Sequence, residues 1–296
     1  MKEPIFTGSA VAIITPFTET GVDYEKLEKL IEFHIANHTD CIVVCGTTGE
    51  SSTMPDEEHK AVIEFTTKKV NKRIPVIAGT GSNDTKHAIE LSKYADSVGA
   101  DGLLIVTPYY NKTTQKGLYL HTKAIADSVN IPIVLYNIPG RTGGLSFSLD
   151  TLKKLAEIPN INAIKEATGN LAFVAKIAAE TDLNIYSGND DIIVPVMSLG
   201  GKGVISVLAN ILPKETHDIC AEFENGNVEA SRELFLKYLD LINKLFIEVN
   251  PIPIKTAMNI LGYEVGPLRM PLCEMTDENY QALKTALEEN GVKCLL

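Results

Sequence analysis

The sequence predicts an α/β fold, a (β/α)8 TIM barrel with a small C-terminal helical domain. Eight short apolar runs alternate with amphipathic helical patterns. Most runs are rich in Val and Ile and nearly continuous in apolarity, which is typical of parallel strands buried on both faces. Eight such units favour closure into a barrel over an open doubly wound sheet. The runs span residues 9–17, 41–46, 75–81, 102–108, 131–137, 161–168, 184–190 and 203–207, of which 184–190 is the weakest.

Only helical patterns follow the eighth run. One apolar stripe consists of Leu234, Tyr238, Leu241 and Leu245. Pro251 and Pro253 are expected to break the chain, with a further helix from about Lys255. We therefore predict a catalytic barrel over residues 1–226 and an α-helical extension over residues 227–296. The apolar stripe is expected to cover either the barrel or a neighbouring subunit.

Composition and charge argue against several classes of protein. A net charge of −11 over 296 residues disfavours a nucleic-acid-binding surface, which usually carries a basic face. The only compact basic stretch, residues 68–73, is predicted to be a solvated helix end. No apolar run approaches the ~18 residues that a membrane-spanning helix needs. Five cysteines without a Cys-x-x-Cys pair argue against a disulfide framework or a zinc knuckle, so a reducing cytoplasm fits best.

Lys165 is the most unusual polar residue near a predicted strand end, where the active site of a (β/α)8 barrel lies. It interrupts a largely apolar run, and strand alternation places it on one face with Ala163 and Ala167. If that face points inward, burial disfavours the charged amine and lowers its pKa below the usual value of about 10.4. A neutral amine is the nucleophile that forms an imine with a ketone. The position of Lys165 alone is equally consistent with a lysine that is paired with a carboxylate.

Two loops at the predicted barrel mouth offer groups that bind carboxylates. Residues 46–51 place two glycines around Thr47 and Thr48, so that backbone N–H groups and hydroxyls can point into the mouth. The same residues also fit a turn that merely needs glycine. Tyr136 lies near the end of the fifth run, and its phenol can donate and accept protons. Arg141 in the next loop carries a guanidinium group, whose paired N–H donors suit a second carboxylate. Taken in isolation, Tyr136 and Arg141 are also consistent with ordinary loop residues.

A metal site is not expected. His34 and His38 have the four-residue spacing of helical metal ligands, but their helix belongs to the outer layer and no third ligand is evident. No Gly-x-Ser-x-Gly elbow occurs. The glycines near residue 200 precede the eighth strand, whereas a phosphate-binding site of this fold lies at the opposite end of the barrel, where the strands finish.

Taken together, the motifs resemble those of the dihydrodipicolinate (4-hydroxy-tetrahydrodipicolinate) synthase family. This family lies within the pyruvate-dependent class I aldolases that include N-acetylneuraminate lyase. The resemblance runs over nearly the whole chain. Its motifs are FTGS at 6–9, GTTGES at 46–51, AGTG at 78–81, TPYYN at 107–111, YNIPGRT at 136–142, IKEATGN at 164–170, GVISV at 203–207 and NPIPIK at 250–255.

The resemblance implies a role for each matching residue. Lys165 would form the Schiff base with pyruvate. The proton relay would consist of Tyr136, Thr47 and Tyr110, with Tyr110 reaching across a dimer interface into the neighbouring site. The substrate-binding residues would be Thr48 through its backbone N–H, Gly188 and Ile205 in the pyruvate pocket, and Arg141 at the mouth.

The resemblance also implies the reaction. Pyruvate condenses with L-aspartate 4-semialdehyde on the way to diaminopimelate and lysine, and no cofactor is needed beyond the covalent imine. The implied assembly is a homotetramer of two tight dimers. Arg141 and the doubled Tyr109-Tyr110 resemble the synthase more than the alternative, an N-acetylneuraminate or 2-keto-3-deoxy sugar-acid lyase. A catalytically silent barrel that only binds a small acid is the alternative from another class.

Feedback inhibition by lysine is expected to be weak or absent. Inhibited members hold lysine at the tight-dimer interface through residues that match Ser51, Ser52, His59, Asn83 and Tyr109 here. They have a histidine where this chain has Asp56 and a glutamate where it has His87. Without that glutamate, an acceptor for an ammonium group of lysine is missing.

Overall fold

Within residues 2–294, which the computed structural model describes, eight parallel strands form a closed barrel. The strands are β1 Gly8–Ala12, β2 Cys41–Val44, β3 Val76–Gly79, β4 Gly102–Val106, β5 Ile133–Asn137, β6 Ile161–Glu166, β7 Asn184–Ser187 and β8 Gly203–Ser206. They pair in chain order, and β8 returns to pair with β1. Each strand overlaps one predicted apolar run, including the weakest, so the predicted barrel is confirmed, although several strands are shorter than their runs.

Helices between the strands form the outer layer. They are α1 Tyr24–Ala36, α2 Asp56–Val70, α3 Thr85–Ser97, α4 Gln115–Ala126, α5 Leu149–Ala156, α6 Leu171–Glu180, α7 Ile193–Ser198 and α8 Pro213–Glu224. Side-chain caps fix several of their starts. Asp23 accepts a hydrogen bond from the Lys26 N–H at 2.9 Å, and Ser148 accepts one from the Thr151 N–H at 3.2 Å.

The barrel interior is packed at the end where the strands begin. Phe6 stacks on Tyr186, with ring centres 4.2 Å apart, and the Tyr186 hydroxyl donates to the Phe6 carbonyl at 2.7 Å. Ala10, Ala12 and Ala163 also face the interior and are almost fully buried. Because these side chains are small, they leave space toward the end where the strands finish.

Four more helices follow the barrel: α9 Val228–Lys237, α10 Leu239–Lys244, α11 Ile252–Ile260 and α12 Asp277–Glu289. The predicted single stripe breaks at Tyr238, between α9 and α10. Helix α11 begins at Ile252 rather than near Lys255. Pro251 and Pro253 do not break it, because they lie at its start, where a missing N–H costs no helical hydrogen bond.

The extension packs on the barrel. Leu241, Leu245 and Ile254 are fully buried and belong to the same apolar core as the barrel helices. The predicted boundary between residues 226 and 227 falls in the short loop between α8 and α9. Whether the two parts are separate domains stays a prediction. In the described part of the chain, no helix combines the length and the apolarity needed to cross a membrane.

Candidate active site

A cavity of about 600 Å³ opens at the barrel mouth, where the strands end. Its volume suits a small-molecule substrate. The lining includes six of the predicted site residues, namely Thr47, Thr48, Tyr136, Arg141, Lys165 and Gly188. Residues 246–250 of the C-terminal extension form a further wall, which no local sequence pattern indicated.

Lys165 lies on β6 with its side chain inside the barrel. It is in register with Tyr136 on β5 and with Tyr186 on β7. Only 6% of the residue is exposed. On the same face, Ala163 is fully buried and Ala167 lines the cavity, so the amine has room to meet a substrate. The inward face predicted from strand alternation is therefore the face that the structure shows.

Burial changes the protonation of this amine. It lowers the pKa of Lys165 from 10.5 to about 8, while the carboxylate of Asp190 raises this pKa and Arg141 lowers it further. Asp190 is held by hydrogen bonds of 2.9 Å from the N–H groups of Val207 and Leu208. With a pKa of about 8, roughly one Lys165 amine in ten is neutral at pH 7.

The phenol of Tyr136 lies beside this amine. The Lys165 Nζ is 4.5 Å from the centre of the Tyr136 ring. Burial raises the pKa of Tyr136 to about 12, and Arg141 and a hydrogen bond with Thr47 oppose this rise. The phenol is therefore protonated at neutral pH and can exchange a proton through its contact with Thr47.

A second buried lysine, Lys255 on α11, is held in a different way. Burial lowers the pKa of Lys255 to about 8, and the carboxylate of Glu50 opposes this shift. The Lys255 Nζ lies 2.7 Å from Glu50 Oε1, and Lys255 does not line the cavity. Of these two lysines, only Lys165 can meet a substrate in the cavity.

The loop after β2 forms the predicted turn around Thr47 and Thr48. The Gly49 N–H donates to the Gly46 carbonyl, and the Glu50 N–H donates to the Thr47 carbonyl, both at 3.1 Å. Both threonines line the cavity. The turn thus brings two hydroxyls to the mouth, where they can donate to a carboxylate.

Asn250, which is not among the predicted site residues, connects this turn to Arg141. Its amide Nδ2 donates to the Thr48 hydroxyl at 3.1 Å, and its carbonyl accepts a hydrogen bond of 2.8 Å from Arg141 Nη2. Thr48 and Arg141, which the resemblance assigns to substrate binding, are therefore both tied to the extension. The NPIPIK motif is the only local signal at Asn250, and it does not reveal where the residue folds.

Other predicted residues lie outside the cavity wall. Ile205 is buried in the barrel interior. Tyr110 is 92% exposed and has a left-handed backbone with φ 65°, and Tyr109 is 37% exposed. Within this single chain, neither tyrosine reaches Lys165.

The predicted regulatory residues lie near the start of α2 and α3. Ser51 and Asn83 are partly buried and Ser52 is exposed. His59 is buried, and its Nε2 lies 2.9 Å from the Gly79 carbonyl. His87 contacts Asp56 at 3.0 Å and the Ser82 hydroxyl at 3.2 Å. The two residues that depart from the lysine-inhibited pattern therefore pair with each other.

The helix that was predicted to carry both His34 and His38 carries only His34, because α1 ends at Ala36 and the backbone of His38 is left-handed with φ 63°. His34 is fully buried, and its Nδ1 contacts the Thr39 hydroxyl at 3.1 Å. Burial lowers the pKa of His34 to about 3. Among residues 2–294, no group of three or more His, Cys, Asp or Glu side chains is arranged to hold a metal ion.

Known proteins resemble this chain over nearly its whole length. Residues 5–290 match the dihydrodipicolinate synthetase family model. A 4-hydroxy-tetrahydrodipicolinate synthase from Acetivibrio thermocellus is 62% identical over 292 residues, which cover 99% of this chain and all of the relative.

Solved structures agree with this match. A chloride-inhibited dihydrodipicolinate synthase from Acinetobacter baumannii, complexed with pyruvate, is 47% identical with a TM-score of 0.93, covering 97% of this chain and 99% of that chain. The enzyme from Cyanidioschyzon merolae with lysine bound is 42% identical with a TM-score of 0.94, covering 98% and 99%. The chain therefore belongs to the dihydrodipicolinate synthetase family.

Proposed function

We propose that the chain is a 4-hydroxy-tetrahydrodipicolinate synthase, a lyase that joins pyruvate to L-aspartate 4-semialdehyde through an imine on Lys165. The observation that carries the proposal is a buried amine of lowered pKa inside a substrate-sized cavity. The family match and the names of the relatives support the overall reaction. The residue roles rest on the geometry of the cavity.

Imine formation begins at the neutral Lys165 amine. Its Nζ lone pair attacks C2 of pyruvate, and the carbonyl oxygen takes up a proton to give a carbinolamine. Loss of that oxygen as water leaves the imine. A proton then leaves the methyl carbon C3, whose electrons form the enamine. Tyr136 and Thr47 lie in contact beside the amine and carry these protons.

The enamine then acts as the carbon nucleophile. Its C3 attacks the aldehyde carbon of the second substrate, and the aldehyde oxygen takes up a proton. The α-amino group of that substrate next adds to C2 and displaces the Lys165 amine, which closes the ring and frees the enzyme. One N–H group of the Arg141 guanidinium already donates to the Asn250 carbonyl. The other N–H groups of Arg141, which lines the mouth, can bind the substrate carboxylate.

The alternative substrates are larger sugar acids. A sugar-acid lyase must hold a polyhydroxylated chain, which calls for several groups directed at hydroxyls. The mouth instead presents the Arg141 cation, which suits a short aldehyde that carries a carboxylate. The related Acinetobacter baumannii synthase is complexed with pyruvate, which supports a keto acid of this size as the first substrate. We therefore assign the synthase reaction.

The proposal extends to the assembly and location of the protein. We propose a homotetramer of two tight dimers in the cytoplasm, without nucleic-acid or membrane partners and without a cofactor other than the imine. The exposed Tyr110 supports an interface, because a tyrosine that is 92% exposed gains from burial against a second subunit.

Incubation with pyruvate and borohydride tests the proposal. Reduction should fix the imine, and mass spectrometry of peptides should find the adduct on Lys165. The variant Lys165→Met should show no such adduct. A protein that binds pyruvate without forming an adduct would be a silent binding barrel. Product formation with N-acetylmannosamine but not with L-aspartate 4-semialdehyde would identify a sugar-acid lyase.

A further inference from the structure

The turn that carries Thr47 and Thr48 lies between two residues with left-handed backbone. Cys45 has φ 54° and Glu50 has φ 55°, in a region that residues other than glycine rarely adopt. Such conformations persist only where the surrounding contacts hold them. The contacts at each end therefore determine where the two threonines point.

The barrel itself holds the Cys45 end of the turn. The backbone of Cys45 lies so close to β3 that a Cβ on Gly79 would be 2.2 Å from the Cys45 carbonyl oxygen. Glycine at position 79 permits this approach. This end is thus fixed against the neighbouring strand.

The C-terminal extension holds the Glu50 end. The Lys255 ammonium donates to Glu50 Oε1 at 2.7 Å, and the two side chains are 1% and 0% exposed. The other carboxylate oxygen, Oε2, accepts a hydrogen bond of 3.0 Å from the Arg269 N–H. The Lys255 Nζ also lies 4.2 Å from the centre of the Phe17 ring. Both oxygens of this buried carboxylate are therefore satisfied by the extension.

The same extension contacts the turn a second time. Asn250 donates from Nδ2 to the Thr48 hydroxyl at 3.1 Å. The turn is thus held at Thr48 by Asn250 and at Glu50 by Lys255. Glu50 and Lys255 are absent from the cavity lining, so they can influence a substrate only through the residues of the turn.

We propose that Glu50 and Lys255 form a positioning pair, which holds the Thr47–Thr48 turn in the geometry that binds the carboxylate of pyruvate. The inference rests on the proposed function, because it assumes that this cavity binds pyruvate. The pair acts through Thr47 and Thr48 and does not touch the substrate. Its loss should weaken the binding of pyruvate while Lys165 keeps its ability to form the imine.

The test replaces the pair by Glu50→Gln together with Lys255→Met. These residues have similar volumes and leave no buried charge without a partner. Steady-state kinetics and the rate of borohydride trapping are measured against pyruvate concentration. The KM for pyruvate should rise about tenfold or more, since small displacements of binding groups cost this much or more. Trapping at saturating pyruvate should stay near the wild-type rate.

Lys26→Met is the matched control. Lys26 lies on α1 and pairs with Glu264 at 3.4 Å, so it also joins the barrel to the extension, but its partner is not Arg269 and it lies outside the turn. We expect an unchanged KM for pyruvate. An equal rise of KM in this variant would mean that the extension has merely loosened, and the positioning role would be wrong.

Two further comparisons keep the outcome decisive. If the double variant fails to fold, Glu50→Gln alone is compared with Lys255→Arg, which keeps the charge of the pair and should therefore keep most of the affinity for pyruvate. A folded variant without the pair that keeps the wild-type KM overturns the proposal. Failure of the wild-type protein to trap pyruvate at all would instead refute the proposed function.

Discussion

Tyr136 and Lys165 are register partners on β5 and β6, with the lysine Nζ 4.5 Å from the centre of the tyrosine ring. Lys165 has a second register partner, Tyr186 on β7. Both tyrosines face the barrel interior, but only Tyr136 lines the cavity. The hydroxyl of Tyr186 instead donates to the Phe6 carbonyl. The strand register thus gives Lys165 one neighbour suited to proton transfer and one that fills the barrel.

Removal of the hydroxyl group from each tyrosine in turn should separate these two roles. Tyr136→Phe should lower kcat by about 10²–10⁴-fold, as expected for loss of a group that moves protons in the transition state. Tyr186→Phe removes the same atom at the packed end and should lower Tm with little change in kcat. Steady-state kinetics and thermal unfolding of both variants check this. A fall in kcat of similar size in both would assign Tyr136 to packing.

The lowered pKa of Lys165 predicts how imine formation depends on pH. Since only the neutral amine attacks, the rate of adduct formation should rise about tenfold per pH unit below the pKa of about 8 and level off above it. Tyr136, Arg141 and Asp190 are the titratable or charged groups next to the amine. Trapping with excess pyruvate between pH 6 and 9 gives the profile. A midpoint near that of free lysine would contradict a desolvated amine.

Arg141 should affect the second substrate more than the first. Arg141→Gln keeps a polar side chain but removes the cation, so the KM for L-aspartate 4-semialdehyde should rise about 10–100-fold, the usual loss for a hydrogen bond to a charged group. The KM for pyruvate should change little. Assays are best run above pH 8, because loss of this cation also raises the pKa of Lys165. An equal rise in both values would indicate that Arg141 acts only by holding Asn250.

The barrel and the position of Lys165 could be predicted because both follow from local periodicity. A strand buried on both faces leaves a continuous apolar run, and a lysine that interrupts such a run is visible in the sequence. Strand alternation then fixes the face on which Lys165 lies. The same reasoning predicted that Tyr136, near the end of the fifth run, lies at the barrel mouth.

Asn250 could not be predicted in this way. Its contacts with Thr48 and Arg141 form only when the extension folds back over the barrel mouth. No periodic pattern encodes such a long-range contact. The ion pair of Glu50 with Lys255 is of the same kind, because each residue alone is an ordinary charged side chain in the sequence.

Lysine is expected to inhibit this enzyme weakly or not at all. Asp56 supplies a carboxylate near the position of the missing glutamate, but it already contacts His87 at 3.0 Å and is therefore engaged. The exchange Asp56→His with His87→Glu restores the pattern of inhibited members and should confer inhibition. Activity is measured over a series of lysine concentrations. Strong inhibition of the wild-type enzyme by sub-millimolar lysine would show that the pattern was misjudged.

Tyr110 is expected to act in the active site of a neighbouring subunit. In this chain it is 92% exposed, its backbone is left-handed with φ 65°, and it does not line the cavity. Tyr110→Phe and Lys165→Met should each be nearly inactive as pure oligomers. In a mixed dimer, however, the site that retains Lys165 would receive an intact Tyr110 from the partner, because a two-fold interface exchanges the same residues in both directions.

Co-expression of the two variants tests this exchange. Random pairing makes about half of the dimers mixed, each with one complete site, so about a quarter of wild-type activity should return. Mixing Tyr136→Phe with Lys165→Met is the control, since both residues line the cavity of one chain and no complete site can form. Recovery in the control, or none with Tyr110→Phe, would place Tyr110 outside the neighbouring active site.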